Sequence, residues 1–430
     1  MTGLELKRCI SKFKKRLVEL CKLKIFISSI LIHLFYFIFS ILITLLVFRN
    51  LNDFRVYSRV GEIFMTDING LYDPNNYIDM WPFRYFPLSA LMFVPYYLLG
   101  FDFGLIIFNS INLILNILIS IILFKIITIV RGTDHEREDK RVILYICLFI
   151  IGVPQLFNYI LGQINLYVTL LILLSLFIFI KNSDIKWQFI ASLILGISII
   201  IKPTTMFMVP FILIIGYNYK KRKITFNFTK SVLRLVGVAL PLSLNVFMFL
   251  IYPDLLNGFL ATNFTGSETV LLNHSFSITK IISNMFLYFG VPSDEMSATP
   301  IFLGVLLIIG VLGFIIYVFR RSFVNTLIFG YLFGILIMFL AYFDTWDHHI
   351  LQITPLLILA LFTMPRNSEI TRKYIKPGFF FLNFFGLVFT GIFLFIRPFF
   401  PFNFASTLFL ILIFIGVSQY CLKKENNSSS

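Results

Sequence analysis

The amino-acid sequence predicts an all-α, polytopic integral membrane protein, and three observations carry that expectation. Of 430 residues, 58% are hydrophobic and only 13% charged, with 54 phenylalanines. Apolar runs of roughly 17 to 25 residues recur along the whole length, the reach of an α-helix across the hydrocarbon core of a bilayer. The lysines and arginines fall in the short segments between those runs. A net charge of +15 would suggest a nucleic-acid partner in a soluble protein. Here its placement reads as membrane topology, so membrane lipids are the expected surroundings and no nucleic-acid partner is expected.

Spans are expected at about 25–48, 103–130, 142–159, 161–180, 188–201, 203–219, 231–252, 299–319, 322–343, 350–364, 378–396 and 404–421, about 12 transmembrane helices. A basic segment with Lys7, Arg8, Lys12, Lys14, Lys15 and Arg16 precedes the first. It lacks a small-residue cleavage site, so residues 1–24 are expected to be a cytoplasmic tail before an uncleaved anchor. The membrane domain then covers 25–421, and 422–430 forms a second cytoplasmic tail, expected to be disordered.

The stretch from Tyr85 to Gly100 is apolar but only about sixteen residues long, and it contains Pro87 and Pro95. That suits an interfacial or re-entrant segment better than a span. Read so, it leaves Arg131 to Arg141, Lys181 to Lys186, Lys220 to Lys223, Arg320 with Arg321, Arg366 to Lys376 and Lys423 with Lys424 on the cytoplasmic side. Counting it as a span would move them all outside, against the positive-inside rule. Cys9 and Cys21 fall in the first tail, Cys147 in a span and Cys421 at an inner boundary, so no extracytoplasmic disulfide is expected. No Walker loop, dinucleotide-binding glycine pattern or inverted repeat stands out, and no cofactor is expected.

This topology puts two long loops outside, about 49–102 and 253–298, where interfacial helices are expected. Short outer turns lie at Gly162-Gln163, Lys202-Pro203, Asp344 to His349 and Arg397 to Asn403. Asp53, directly after the first span, suits a general base for a hydroxyl; it equally suits a solvated loop acid beside Arg55 or Arg59. Asp73-Pro74 has turn chemistry. Lys202-Pro203 interrupts an apolar run of about thirty residues, and a cation at such a mouth suits a phosphate oxyanion as well as it suits snorkelling to headgroups. Arg84 poses the same choice.

Asp344-Thr345-Trp346-Asp347-His348-His349 is the densest polar cluster flanked by apolar helix. Adjacent residues diverge on a helix, so His348 and His349 are poorly placed to chelate one ion, and no metal site is expected. Phosphate contact or hydrogen bonding to a sugar fits better. Trp346 is either an interfacial aromatic or a platform for a sugar ring. Asn273-His274-Ser275 and Asn263-Phe264-Thr265 match glycosylation acceptors, and the first trio equally suits ligand binding. A short amphipathic helix is expected at 278–288.

Taken in order, these stretches resemble the polyprenol-phosphate-mannose-dependent mannosyltransferases of glycosyltransferase family 87, which have the GT-C membrane fold. The matching residues are Asp53-Phe54 with Tyr57, Leu71 to Pro74, Phe83 to Leu88 with Pro95, Leu161 to Asn165, Lys202-Pro203, Asn273 to Phe276, and Trp346 to His349 with Pro355. The family often has Pro-Pro at Phe86-Pro87 and Gln at His274. The resemblance implies an all-α GT-C enzyme, a hexosyltransferase and by that likeness a mannosyltransferase. Its donor would be a polyprenyl-phosphate sugar, its acceptor lipid-linked or an exported glycan, and its transfer inverting. By the same resemblance Asp53 is the base and His348 and His349 face the donor phosphate; displacing a phosphate also needs cations for the departing charge, and Lys202, Arg84 and the two histidines are the expected ones. Tyr57, Gln163, Asn273, His274, Ser275 and Trp346 are the expected substrate contacts. A transporter or flippase of lipid-linked sugars, or a GT-C enzyme using an aminosugar or pentose, are the alternatives; polar groups at mid-membrane depth would favour the transporter.

Overall fold

The computed structural model describes residues 19–132, 136–265, 275–291, 298–321, 325–365, 368–386, 388 and 404–423. The expectations for the basic N-terminal tail with Cys9, for Asn273 and His274, for the turn Arg397 to Asn403, for the end of the span at 378–396 and for Asn426 to Ser430 therefore lie outside the described residues.

After α1 (Lys24–Leu46) come α2 (Asp53–Thr66), three 3-10 turns (Ile68–Tyr72, Pro74–Tyr77, Pro87–Phe93) and the short α3 (Val94–Leu98). Helices α4 (Phe101–Arg131), α5 (Glu136–Ile150), α6 (Val153–Leu161), α7 (Asn165–Lys181) and α8 (Ile185–Ile201) follow. A 3-10 segment (Pro203–Ile212) then leads into an antiparallel hairpin, β1 (Ile215–Asn218) and β2 (Lys223–Phe226). The chain continues through α9 (Phe228–Ile251), α10 (Pro253–Leu260), α11 (Ile278–Tyr288), α12 (Ala298–Val318), α13 (Thr326–Ala341) and α14 (Ile350–Thr363). Near the end, α15 (Lys376–Phe380) lies between two π-helical turns, and α16 (Ala405–Leu422) is the last helix.

Among the described residues six helices are long and apolar enough to cross a membrane: α1, α4, Lys140–Leu161 across α5 and α6, α9, Thr299–Val318 within α12, and α16. The protein is a helical membrane protein. Their outward faces carry exposed apolar side chains, among them Leu31, Phe247 and Leu307, as lipid contact requires. The centre of the bundle is built differently. Helix α13 is buried from Ile328 to Ala341 and α14 from Ile350 to Phe362. A helix apolar and buried on all sides is a core helix, so these two, at 16 and 14 residues, are shorter than a lipid-facing span.

The expectation of one α-helix over 203–219 is corrected. Pro203 and Pro210 each remove an amide donor, and the chain runs instead as 3-10 helix and strand. At about 2.0 Å per residue in the first and about 3.3 Å in the second, it still covers roughly 30 Å. Irregular backbone at that depth must be sheltered by protein. Gly330 and Gly334 of α13 provide the shelter: a Cβ on Gly334 would stand 2.7 Å from Met208 Cα. The Tyr85 to Gly100 stretch forms only the third 3-10 turn and α3, running over α2 at Gly61, where a Cβ would stand 2.7 Å from the Phe93 carbonyl oxygen.

Polar groups also gather at the break between α5 and α6, away from the outer loops and turns that the sequence singles out. Gly152 and Pro154 break α5 from α6 and free two carbonyls. The His33 Nδ1–H donates to Ile150 O at 3.0 Å and Tyr36 Oη to Ile151 O at 3.1 Å. His33 Nε2 then accepts from Tyr159 Oη at 3.0 Å, while Asn116 and Gln155 exchange amide hydrogen bonds beside it. The first two bonds serve a broken helix in an apolar surrounding, which is a structural use of polarity, and the others hold His33 in place.

Candidate active site

Helix ends from five parts of the chain meet around one cavity of about 350 Å³. Asp53 begins α2, Gln163 lies between α6 and α7, Lys202 follows α8, Asp344 follows α13, and His348 and His349 precede α14. Residues separated by up to three hundred positions thus face one space.

Local sequence explains each placement. Asn52 caps α2, its Oδ1 accepting from Phe54 N at 2.7 Å, while its amide donates to Ile160 O. This cap fixes Asp53 in the first turn, where the helix dipole favours a carboxylate. Gly162 is left-handed, with φ of 65°, and a Cβ there would stand 2.6 Å from Phe54 Cβ. Glycine therefore permits the close approach that brings Gln163 against α2. The Gln163 amide donates to Asp53 Oδ2, and its Oε1 accepts from Tyr57 Oη at 3.0 Å. Tyr57 Oη also meets Tyr85 Oη at 3.2 Å.

Pro203 disfavours helix at the residue before it, and Lys202 is extended, with φ of −148°. Its side chain is 2% exposed. Nζ donates to Asn165 Oδ1 at 2.8 Å and lies 5.8 Å from the centre of the Tyr85 ring. Snorkelling to headgroups does not describe this lysine. Asn165 Oδ1 also accepts from Gln352 Nε2 at 2.9 Å, and its own amide reaches Asn158 Oδ1 at 3.3 Å.

In the turn before α14, Asp344 Oδ2 accepts from Arg84 at 2.7 Å and Asp344 Oδ1 accepts from Trp346 Nε1. Trp346 stacks near His348, ring centres 6.3 Å apart, and meets Trp81 edge-on. His349 Nδ1 accepts from Trp346 N at 3.1 Å, which leaves its proton on Nε2 in the neutral ring.

Burial sets the charges. It is the largest influence on Asp53 and raises its carboxyl to about 6, against the pull of the Gln163 hydrogen bond and Lys202 and with a push from Asp344. Burial likewise lowers Lys202 to about 7, opposed by Asp344 and Asp53. Both histidines are held well below their ordinary value, by burial first and by Lys202 second. Both influences favour neutral imidazoles at the cavity wall over the positive charge expected of them. Arg84 faces it with its charge already matched by Asp344.

Of the expected site residues, Asp53, Tyr57, Arg84, Gln163, Lys202, Trp346, His348 and His349 all line the cavity. Ser275 does not: its hydroxyl is 2.9 Å from Thr345 Oγ1 and accepts from Thr345 N at 3.2 Å, tying the start of α11 to the 344–349 turn. Gln163 reaches the cavity with both ends of its amide engaged, so it positions Asp53 and Tyr57 before it can contact anything else. Asn263 also lines the cavity. Among the described residues no three His, Cys, Asp or Glu side chains gather as a metal ligand set.

Sequence reasoning assigned no role to Asn165, Gln352 or Asp344. Gln352 was findable as the lone amide of an apolar helix, one turn after His348 and on the same face. Asn165 was findable as the second amide after Gly162. Asp344 sits in a cluster that the sequence singled out, but its partner Arg84 is 260 positions away.

The remaining wall of the cavity is apolar, with Leu51, Phe86, Met206, Phe207, Phe259 and Phe302. The site therefore pairs a carboxylate and a buried amine with a greasy flank. No curated protein matches the chain. The model of glycosyltransferase family 87 matches residues 83–342, more than half of the chain, a range that includes Arg84, Gln163 and Lys202 and excludes Asp53 and the histidine pair. The chain belongs to glycosyltransferase family 87.

Proposed function

We propose that this membrane glycosyltransferase moves a hexose, mannose, from a polyprenyl-phosphate sugar to a lipid-linked or exported glycan acceptor. The reading takes the fold as GT-C, with about twelve passes formed by the six long helices and the shorter ones, and puts the cavity on the extracytoplasmic face of the cell membrane. One observation carries it: a part-buried carboxylate at a helix N-terminus and a fully buried amine face the same cavity beside an apolar wall.

The chemistry follows from those groups. An acceptor hydroxyl gives its proton to the Asp53 carboxylate as its oxygen bonds to C1 of the sugar. The C1–O bond to phosphate breaks, and the electron pair leaves on the phosphate oxygen. Attack opposite the leaving group inverts the anomeric centre. Lys202 meets the departing charge, and the neutral His349 Nε2–H and His348 add hydrogen bonds. The apolar wall suits a polyprenyl tail, so no nucleotide needs to be held. The polar cluster around His33 gives the transporter alternative little support, because His33 and Tyr36 bond to the carbonyls at the break between α5 and α6 and Tyr159, Asn116 and Gln155 bond to His33 or to one another.

Cells lacking the gene are expected to accumulate polyprenyl-phosphate hexose and to lose one hexose from a glycan, read by mass analysis of membrane lipids and glycans. Unchanged lipids and glycans would contradict the reading. For the side of the membrane, single cysteines in a cysteine-free background are the test. An impermeant thiol reagent applied to intact cells is expected to label Thr66→Cys and not Lys221→Cys, both exposed positions; the reverse pattern would place the cavity inside.

A further inference from the structure

Helix α2 has two polar faces. At about 100° per residue, Arg55, Ser58, Arg59 and Glu62 fall within about 100° of one another and centre opposite Asp53. Asp53, Val56 and Tyr57 line the catalytic cavity, whereas Arg55, Ser58, Arg59 and Glu62 line a separate polar groove of about 530 Å³ behind the helix. Arg49 and Asn50 close one side of that groove, and Asn75, Asn76 and Phe101 close another.

Three arginines converge here, and they are held to different degrees. Arg59 is fixed, donating to Glu62 at 2.6 Å and to both oxygens of Asn76 at 3.3 Å. Arg49 lies 5.2 Å over the Phe101 ring and pairs with Asp102 at 2.7 Å, but both members of that pair are more than half exposed, so water and salt weaken it. Arg55 is half-buried and has no side-chain partner among the described residues. The lining of the groove holds three guanidinium groups and one carboxylate, Glu62.

The surroundings specify what kind of anion fits. The groove begins just after α1 ends, beyond the exposed Leu46 and Val47, and the exposed Leu98 and Phe103 stand within three residues of its Phe101. A positive groove bordered by an apolar belt is the boundary between hydrocarbon and headgroups. A ligand there can place a phosphate among the arginines while its chains lie along the belt. We infer that the groove behind α2 binds the phosphate of an anionic lipid, at a site separate from the cavity that holds Asp53.

The phosphate has two possible sources, an ordinary anionic phospholipid or a phosphate-bearing polyprenyl lipid. Either would brace α2 from behind and so steady the helix that begins with Asp53.

Native mass spectrometry of the purified full chain tests this, with phosphatidylglycerol, phosphatidylcholine and sugar-free polyprenyl phosphate offered in turn. Wild type is expected to retain an anionic lipid about five- to tenfold better than phosphatidylcholine. Arg49→Gln with Arg55→Gln should erase that preference, and folding should tolerate the change because Arg49 is more than half exposed and the half-buried Arg55 holds no partner among the described residues. Lys202→Met should keep the preference for phosphatidylglycerol, and the polyprenyl phosphate arm is read in that background, because the other cavity is where Lys202 is proposed to meet a polyprenyl phosphate. A preference for phosphatidylglycerol assigns the site to phospholipid, and retention of polyprenyl phosphate alone assigns it to a polyprenyl lipid; either supports the inference if the double variant loses it. Three outcomes would overturn it: no anionic preference in wild type, a preference that survives the double variant, or one lost in Lys202→Met. Competition by inorganic phosphate at equal concentration would also overturn the lipid assignment.

Discussion

Asp53→Asn is expected to slow sugar transfer by at least about a hundredfold, the low end of what a positioned general base contributes. Asparagine keeps the size of the side chain and can still accept from Gln163, so what disappears is basicity. Folding should survive, because the cap of α2 is made by Asn52 and not by Asp53. Donor binding should survive as well, since the lost interaction is needed mainly in the transition state. The wild-type pH profile carries the same information. With the carboxyl raised to about 6, kcat/KM is expected to rise with pH through that region as Asp53 loses its proton, and the rise should vanish in Asp53→Asn. Asp67→Asn and Asp73→Asn serve as controls, neither side chain lining the cavity. If Asp53→Asn turns over at the wild-type rate and one control is dead, the base has been misassigned.

Lys202→Met is expected to weaken donor binding by roughly ten- to a hundredfold, the range for losing a hydrogen bond to a charged group. Methionine matches the length of the stem and removes only the charge. Asn165 keeps its bond from Gln352, and a buried ammonium that burial itself disfavours is costly to hold in the folded state, so insertion and assembly should be normal. Protonation links this prediction to pH. In the free enzyme the amine titrates near 7, so kcat/KM should fall as pH rises through 7 and the charge is lost. A bound phosphate stabilises the ammonium and moves the fall in kcat to higher pH. Lys202→Arg should move the alkaline limb of kcat/KM upward. Donor affinity unchanged in Lys202→Met would show that the amine does not meet the phosphate.

Hydropathy made the lipid-facing helices legible, because each must be apolar for about twenty residues whatever its neighbours do. It was less informative for α13 and α14, whose surroundings are protein, and it misread Pro203–Ile212, where composition says apolar and only the two prolines hint at a tighter helix. The site was legible as a set of helix mouths, since a Gly-Gln, a Lys-Pro or a His-His pair interrupting apolar sequence stands out without any alignment. What the residues do to each other was not legible. The bond from Gln163 to Asp53 spans 110 positions and depends on the left-handed Gly162. The neutral state of the histidines depends on burial and on Lys202, and neither is visible in the turn that contains them. Ser275 illustrates the opposite error: a hydroxyl in a suggestive trio is used up in joining two loops.

The central claim is that sugar leaves a polyprenyl phosphate in the cavity between Asp53 and Lys202. Its most direct test is transfer by purified protein in lipid nanodiscs, with labelled mannose presented either on polyprenyl phosphate or on a nucleotide. The account predicts a new glycosidic bond from the lipid donor only, and none with Asp53→Asn. Transfer from the nucleotide sugar but not the lipid would contradict it, as would movement of intact lipid-linked sugar across vesicle membranes with no bond made.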